Sequence, residues 1–278
     1  MLRKIWPIVV SLLLLTGCTS QVNVEDTETF RIVTLAPSLT TILIDLGAKD
    51  LIVATDEFSH DLISVDDIAT FDIVNPDIER LVSLNPDIIF ASDLTMVDLT
   101  HLETFGIRVY DLPTPEQLSD IAEEIFLIGQ IIERESEAQE LVDDFIQELA
   151  NLQARVPEAS APLTVYFEIM PAPHLFSFGR NVFLDELLQV AGLQNIFSEQ
   201  IGWLPVDSEV VVAANPDIIL TNVDFIDDAI GEIINRNGWQ QINATLNNQV
   251  FFISNNYTSR PTHNITQALL MIIEAVYE

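Results

Sequence analysis

The stretch TPEQLSDIAEEIFLIGQIIERESEAQELVDDFIQELANLQARVP, residues 114–157, decides the fold. Thr114, Pro115 and Gln117 read as a helix start: a hydroxyl cap, a proline at the first helical position, and an amide three residues after the cap. Apolar residues then recur at helical spacing through Leu118, Ile121, Ile125, Ile128 and Ile132, and again through Ala138, Leu141, Phe145, Leu149 and Leu152. Pro157 ends the pattern. At 1.5 Å per residue, the part from Glu135 onward would span roughly 30 Å, about the diameter of a small domain. The expectation is a helical beam between two bodies, built as one helix or two.

The flanks of this beam resemble each other. Before it, Glu79 opens ERLVSLNPDIIF; after it, Glu209 opens EVVVAANPDIIL, 130 residues later. A second echo pairs LGAKDLI from Leu46 with AGLQNIF from Ala191, 145 residues apart. Self-similarity of this length implies two copies of one structural unit. In each copy short apolar strands alternate with helical segments: strands at 30–35, 51–55, 87–91 and 107–112 with helices at 39–46 and 99–105, then strands at 164–168, 217–221 and 250–254 with helices at 182–191, 226–235 and 262–277. The predicted fold is α/β, two similar Rossmann-like lobes joined by a long interdomain helix with a ligand cleft between them. The lobes span 30–115 and 158–278, with the helical segment at 116–157. Ligands of such sheets bind beyond the carboxyl ends of the strands.

Residues 1–18 read as a targeting segment. Arg3 and Lys4 precede an apolar run, residues 5–15, too short to span a bilayer, and the run closes on Leu15-Thr16-Gly17-Cys18. That ending resembles a bacterial lipoprotein signal, which implies lipid attachment at Cys18 and a protein held on the extracytoplasmic face of the membrane; a cleaved signal with a chance cysteine is the alternative. Cys18 is the one cysteine in 278 residues, so no internal disulfide forms. Residues 19–29 read as a flexible tether. With 43 acidic residues against 11 basic ones and a net charge of −32, nucleic acid is excluded as a partner, because phosphates would be repelled.

From residue 30 onward the order of motifs resembles the substrate-binding lipoproteins of ABC importers, in the class that includes cobalamin- and ferric-siderophore-binding proteins. The matching features are the opening RIVTLAPS from Arg31, the two Asn-Pro-Asp segments, the helical beam, FLDELL from Phe183, AGLQNIF, and Trp203 ahead of Glu209. The resemblance implies a monomeric, non-enzymatic carrier without a resident cofactor. It would capture a siderophore, a corrinoid or haem and deliver it to a permease and its ATPase. It further implies that Glu79 and Glu209, one per lobe, dock on permease arginines. Trp203, Phe176, Pro37 and Ser38 match loops that touch ligand in the family, with Phe58 and Met96 as weaker matches in the first lobe. Tyr257 and Arg260 follow the last strand at its cleft end. Arg260 is one of few basic residues, so its position suits an anionic group on the ligand.

The four histidines, His60, His101, His174 and His263, show no metal-ligand spacing, although His174 or His263 would serve as an axial haem ligand. No nucleophile elbow and no phosphate-cradling glycine loop is present, which argues against an enzyme. The competing readings are a haem-binding lipoprotein of the same fold and a sensory or structural surface lipoprotein.

Overall fold

The computed structural model describes residues 30–63 and 68–278; the targeting segment, the tether and Cys18 lie outside them. The first lobe contains β1 (Ile32–Thr34), α1 (Pro37–Asp45), β2 (Ile52–Asp56), β3 (Ala69–Phe71), α2 (Ile78–Ser83), β4 (Ile88–Ser92) and β5 (Arg108–Leu112). Its strands lie in the order β3-β2-β1-β4-β5, all parallel. Two helices follow, α3 (Leu118–Ile131) and α4 (Glu135–Gln153). The second lobe begins with β6 (Leu163–Glu168), β7 (Phe176–Phe178), α5 (Phe183–Val190), β8 (Leu193–Asn195) and β9 (Trp203–Pro205). It continues with α6 (Ser208–Ala214), β10 (Ile218–Thr221), α7 (Ala229–Asn235), α8 (Asn243–Leu246), β11 (Val250–Phe252), α9 (Asn255–Thr258) and α10 (Ile265–Tyr277). Its parallel sheet runs β11-β10-β6-β8, and β7 with β9 forms a separate antiparallel pair.

The repeat in sequence is a repeat of structure. In each lobe a short helix entered at Asp77 or Asp207 ends at an asparagine with left-handed backbone, Asn85 at φ 47° and Asn215 at φ 49°. Asparagine tolerates that conformation better than most residues. Two residues later the aspartate staples the incoming strand to the lobe's central strand. Asp87 accepts from the Arg31 amide at 2.7 Å, and Asp217 accepts from the Thr164 amide at 3.0 Å. The shorter echo has a similar cause: Gly47 at φ 72° and Gly192 at φ 71° turn the chain out of α1 and α5.

The beam differs from its sequence expectation in where it starts. The helix starts at Leu118, because the Asp120 carboxylate gathers the amides of Glu116 and Gln117, each at 3.0 Å, in a capping box. Thr114 is no cap; its hydroxyl donates to Asp93 Oδ1 at 2.6 Å. Of the two forms the sequence left open, one helix or two, the segment takes the second, breaking with Glu133 at φ 60°. At this corner Gly129 lies directly against Ala138 and the Arg134 carbonyl, where a Cβ would not fit. The shorter α3 packs on α1 of the first lobe and α5 of the second, while α4 packs on α3 and α10.

Alternation along the strands sorts the core. Ile32, Ile88 and Phe90 face a cluster that also holds Ile121, Ile125 and Ile128 of α3 and Val165, Phe167, Leu188 and Leu269 of the second lobe. The opposite strand faces bury Val33, Ile89 and Ala91 in a first-lobe cluster and Tyr166, Ile219 and Trp239 in a second-lobe cluster. The lobes therefore share one apolar core through α3.

Candidate functional site

A cavity of about 320 Å³ lies between the lobes, within the size range of small-molecule sites. The repeat explains its walls. The first turn of α1 brings Pro37 and Ser38, and the equivalent turn of α5 brings Phe183 and Leu184. Ser92 ends β4 in the first lobe, and Asn222, 130 residues on, follows β10 in the second. The segment leading into α3 adds Pro113 and Pro115, and the region around α9 adds Asn255 and Ser259. Trp203 stands on β9, 44% exposed, with its ring edge-on to Phe178 at 5.8 Å and Phe183 at 6.4 Å. Packing on two aromatics holds the indole while leaving area free to meet a ligand.

The polar equipment of this cavity is unusual. Glu124 projects from the middle of α3, on the face that also carries Ile121, Ile125 and Ile128. Burial, reinforced by the nearby Asp93 carboxylate, pushes its carboxyl up to about 8. Among the described residues its Oε2 has no hydrogen-bond partner, and neither do Ser92 Oγ and Asn222 Oδ1. The other end of the Asn222 amide is engaged, its Nδ2 donating to Thr258 Oγ1 at 2.9 Å. A second cavity of about 360 Å³ shares residues 112–115 and Glu124 with the first, so Glu124 stands at the partition between them.

Of the ligand-contact residues expected from sequence, Pro37, Ser38 and Trp203 line the interlobe cavity. Phe176 is half-buried in β7, opposite Pro205, and Tyr257 packs against the shared core. Phe58 and Met96 are exposed, Met96 beside a different surface hollow. Arg260 is engaged elsewhere: its guanidinium grips Asp61 of the first lobe at 2.8 and 2.9 Å and donates to the Phe58 carbonyl at 3.2 Å. An acidic residue from the opposite lobe has satisfied the cation expected to hold the ligand. Glu79 and Glu209 occupy the first turns of α2 and α6, exposed and in equivalent positions. A crossover helix runs antiparallel to the strand it feeds, so these turns lie at the strands' carboxyl-end edge, the edge that carries the cleft.

Sequence reasoning missed Glu124, Ser92 and Asn222. The signals were present: Glu124 falls three residues after Ile121 and four before Ile128, inside the buried stripe, and Ser92 pairs with Asn222 once the 130-residue echo is carried two residues further. His174 is exposed, and His263 pairs through Nε2 with Asp45 of the first lobe at 3.1 Å; neither lines the cavity. Among the described residues no cluster of histidine, cysteine and carboxylate side chains is arranged to hold a metal ion.

Comparison with known proteins gives this geometry its family. A Bacillus subtilis (strain 168) ABC transporter substrate-binding lipoprotein, YvrC, is 26% identical over 259 residues, covering 90% of this chain and 81% of that protein. The vitamin B12-binding protein of Vibrio cholerae (strain ATCC 39315) is 26% identical over 246 residues, with 86% of each chain covered. The crystal structure of a possible iron-binding, periplasmic solute-binding protein from Staphylococcus epidermidis superposes with a TM-score of 0.78 at 26% identity, over 90% of this chain and all of that one. The periplasmic binding protein family model matches residues 32–257, and with two parallel-sheet lobes closing on a shared cavity, the chain belongs to the periplasmic binding protein family.

Proposed function

We propose that this chain is the extracytoplasmic binding component of an ABC importer, which captures a corrinoid or an iron chelate in the interlobe cleft and delivers it to a permease. The observation that carries this reading is the cavity itself, walled by repeat-equivalent turns of both lobes and by the helix that joins them. The similarity to a vitamin B12-binding protein and to a possible iron-binding protein supports the ligand class. The protein binds without turnover. Lipid on Cys18 anchors it, and Glu79 and Glu209 dock on permease cations, where paired charges steer and orient the encounter. Because the lobes share a core through α3, closure on ligand amounts to a few degrees and not a wide hinge swing.

Titration of the protein with cyanocobalamin, ferric hydroxamate and catecholate siderophores, and haemin, followed by tryptophan fluorescence, tests the reading. One of them binds and quenches; binding of none overturns the importer assignment. In reconstituted transporter, the pair Glu79→Arg and Glu209→Arg abolishes ATPase stimulation with affinity unchanged. Cys18→Ser releases the protein from the membrane fraction.

A further inference from the structure

We propose that Ser92 Oγ, Glu124 Oε2 and Asn222 Oδ1 form a three-point polar anchor that reads N–H donors on an uncharged, amide-bearing ligand, one point from each lobe and one from the connecting helix. The inference rests on the importer reading and specifies what the cleft selects.

Among the described residues, five buried side-chain polar atoms lack a partner, and three of them line this one cavity. Buried polar groups in native proteins are nearly always bonded, so such a concentration needs a cause. A ligand that completes the bonds is one. Ser92 and Asn222 are 8% and 3% exposed, and among the described residues no protein group bonds Ser92 Oγ or Asn222 Oδ1. Asn222 Oδ1 is an acceptor only, since its amide nitrogen is committed to Thr258, and it therefore demands a donor from the ligand. Ser92 and Asn222 stand at equivalent places in the repeat, at the carboxyl ends of β4 and β10. A molecule bonded to both, and to Glu124 between them, ties the lobes together in the closed form.

Charge narrows the ligand further. Among the described residues lining the cavity there is no lysine, arginine or histidine, and Arg260 is already held by Asp61. A carboxylate-bearing cargo would meet the Asp93 carboxylate close behind Glu124 and no counter-cation, inside a chain of net charge −32. Discrimination by such unpaired like charges is a strong form of selectivity. An amide presents donors without that penalty.

The test compares cyanocobalamin and ferrichrome, both amide-bearing and without net charge, with haemin and ferric citrate, which carry carboxylates. An amide-bearing chelate is expected to bind at least about tenfold tighter than either carboxylate one. Ser92→Ala and Glu124→Met should each weaken that binding about tenfold, the scale of one buried hydrogen bond. Both variants should melt at or above the wild-type temperature, because each removes an atom that the empty protein leaves unbonded. Tighter binding of haemin or ferric citrate overturns the anchor and leaves the importer reading intact. Unchanged affinity in both variants does the same, and so does a melting temperature lowered by several degrees, which would show that the atoms have internal partners. If no chelate binds the wild type, the importer reading fails and the anchor falls with it.

Discussion

In the first lobe, Asp56 ends β2 with its carboxylate accepting from Ser59 Oγ at 2.6 Å and the Phe58 amide at 2.8 Å. Behind it the hydroxyls of Thr34, Thr40 and Thr55 bond one another at 2.6 to 2.9 Å. In the second lobe, Glu168 ends β6 and receives a two-pronged grip from Arg236, at 2.7 and 3.0 Å. Arg236 also pairs with Glu232 and lies 4.1 Å over the Trp239 ring. Both carboxylates are buried, and burial pushes both upward, against hydrogen bonds that pull them down. One copy of the repeat dissolves its buried acid in hydroxyls; the other neutralises it with a cation caged by an aromatic. A hydroxyl network offers several partners, whereas an ion pair depends on one. The lobes should therefore fail differently when their acid is disturbed.

The largest effect follows from that asymmetry. Arg236→Met strands Glu168 as an unpaired buried carboxylate and should cost about 3–5 kcal/mol in chemical denaturation. Asp56→Asn keeps an acceptor among the same hydroxyls and should cost about 1 kcal/mol. Equal losses would break the comparison.

Glu124, between the lobes, has neither solution: among the described residues no hydroxyl cage and no cation bonds its Oε2. Its folded carboxyl stands at about 8, against an ordinary 4.5. The proton is thus held more tightly in the folded state between those values, so its contribution is complete below pH 4.5 and is lost as pH rises toward 8. Glu124→Gln removes this dependence, and its stability advantage over wild type should grow by roughly 2–4 kcal/mol between pH 5 and pH 8.5. A constant difference across that window would place the carboxylate in contact with water.

The third contrast is between cleft walls. The second lobe adds the β7–β9 pair, which carries Trp203, and among the described residues the first lobe has no counterpart. Trp203→Ala should weaken ligand five- to a hundredfold, about 1–3 kcal/mol, while Ser38→Ala on the first-lobe wall should change affinity less than about threefold. Similar losses on both walls would mean the lobes grip the ligand evenly.

These contrasts also mark what the sequence made legible. The repeat was readable because its period is carried by residues with fixed backbone duties: Asn85 and Asn215 in left-handed turns, Asp87 and Asp217 stapling strands. The alternation of strands and helices was readable from apolar runs. The corner at Glu133 was not, because a left-handed glutamate carries no compositional mark and the apolar pattern resumes one turn later. Strands of three residues such as β7 and β8 are too short for a period to show. In the cleft, Trp203, Pro37 and Ser38 were legible through the family resemblance, but Glu124 was one acid among 43, and only its burial distinguishes it. Arg260 stood out by rarity, yet which acid it would meet depended on a contact across 199 residues.

That contact supplies the smallest expected effect, and it bears on both lobes at once. Arg260 and Asp61 join the segment after α9 to the first lobe, with side-chain exposures of 15% and 36%. The Arg260 hydrogen bond, more than its charge, holds the Asp61 carboxyl below the usual range. With the folded value lowered, the stabilisation is present above the unfolded value and disappears as pH falls through the folded one. Solvent screens so exposed a pair, so a double-mutant cycle of Arg260→Met with Asp61→Asn should give a coupling under about 1 kcal/mol, smaller still at high salt. Its weight lies in what the same variants do to ligand binding. A clasp that merely restrains opening gives equal, small affinity changes in both single variants. An anchor for an anionic ligand gives a loss of tenfold or more in Arg260→Met and a gain in Asp61→Asn, where the guanidinium is released. The donor-reading cleft requires the first pattern; the second would return Arg260 to the ligand and make the second lobe the seat of charge recognition as well as of the aromatic wall.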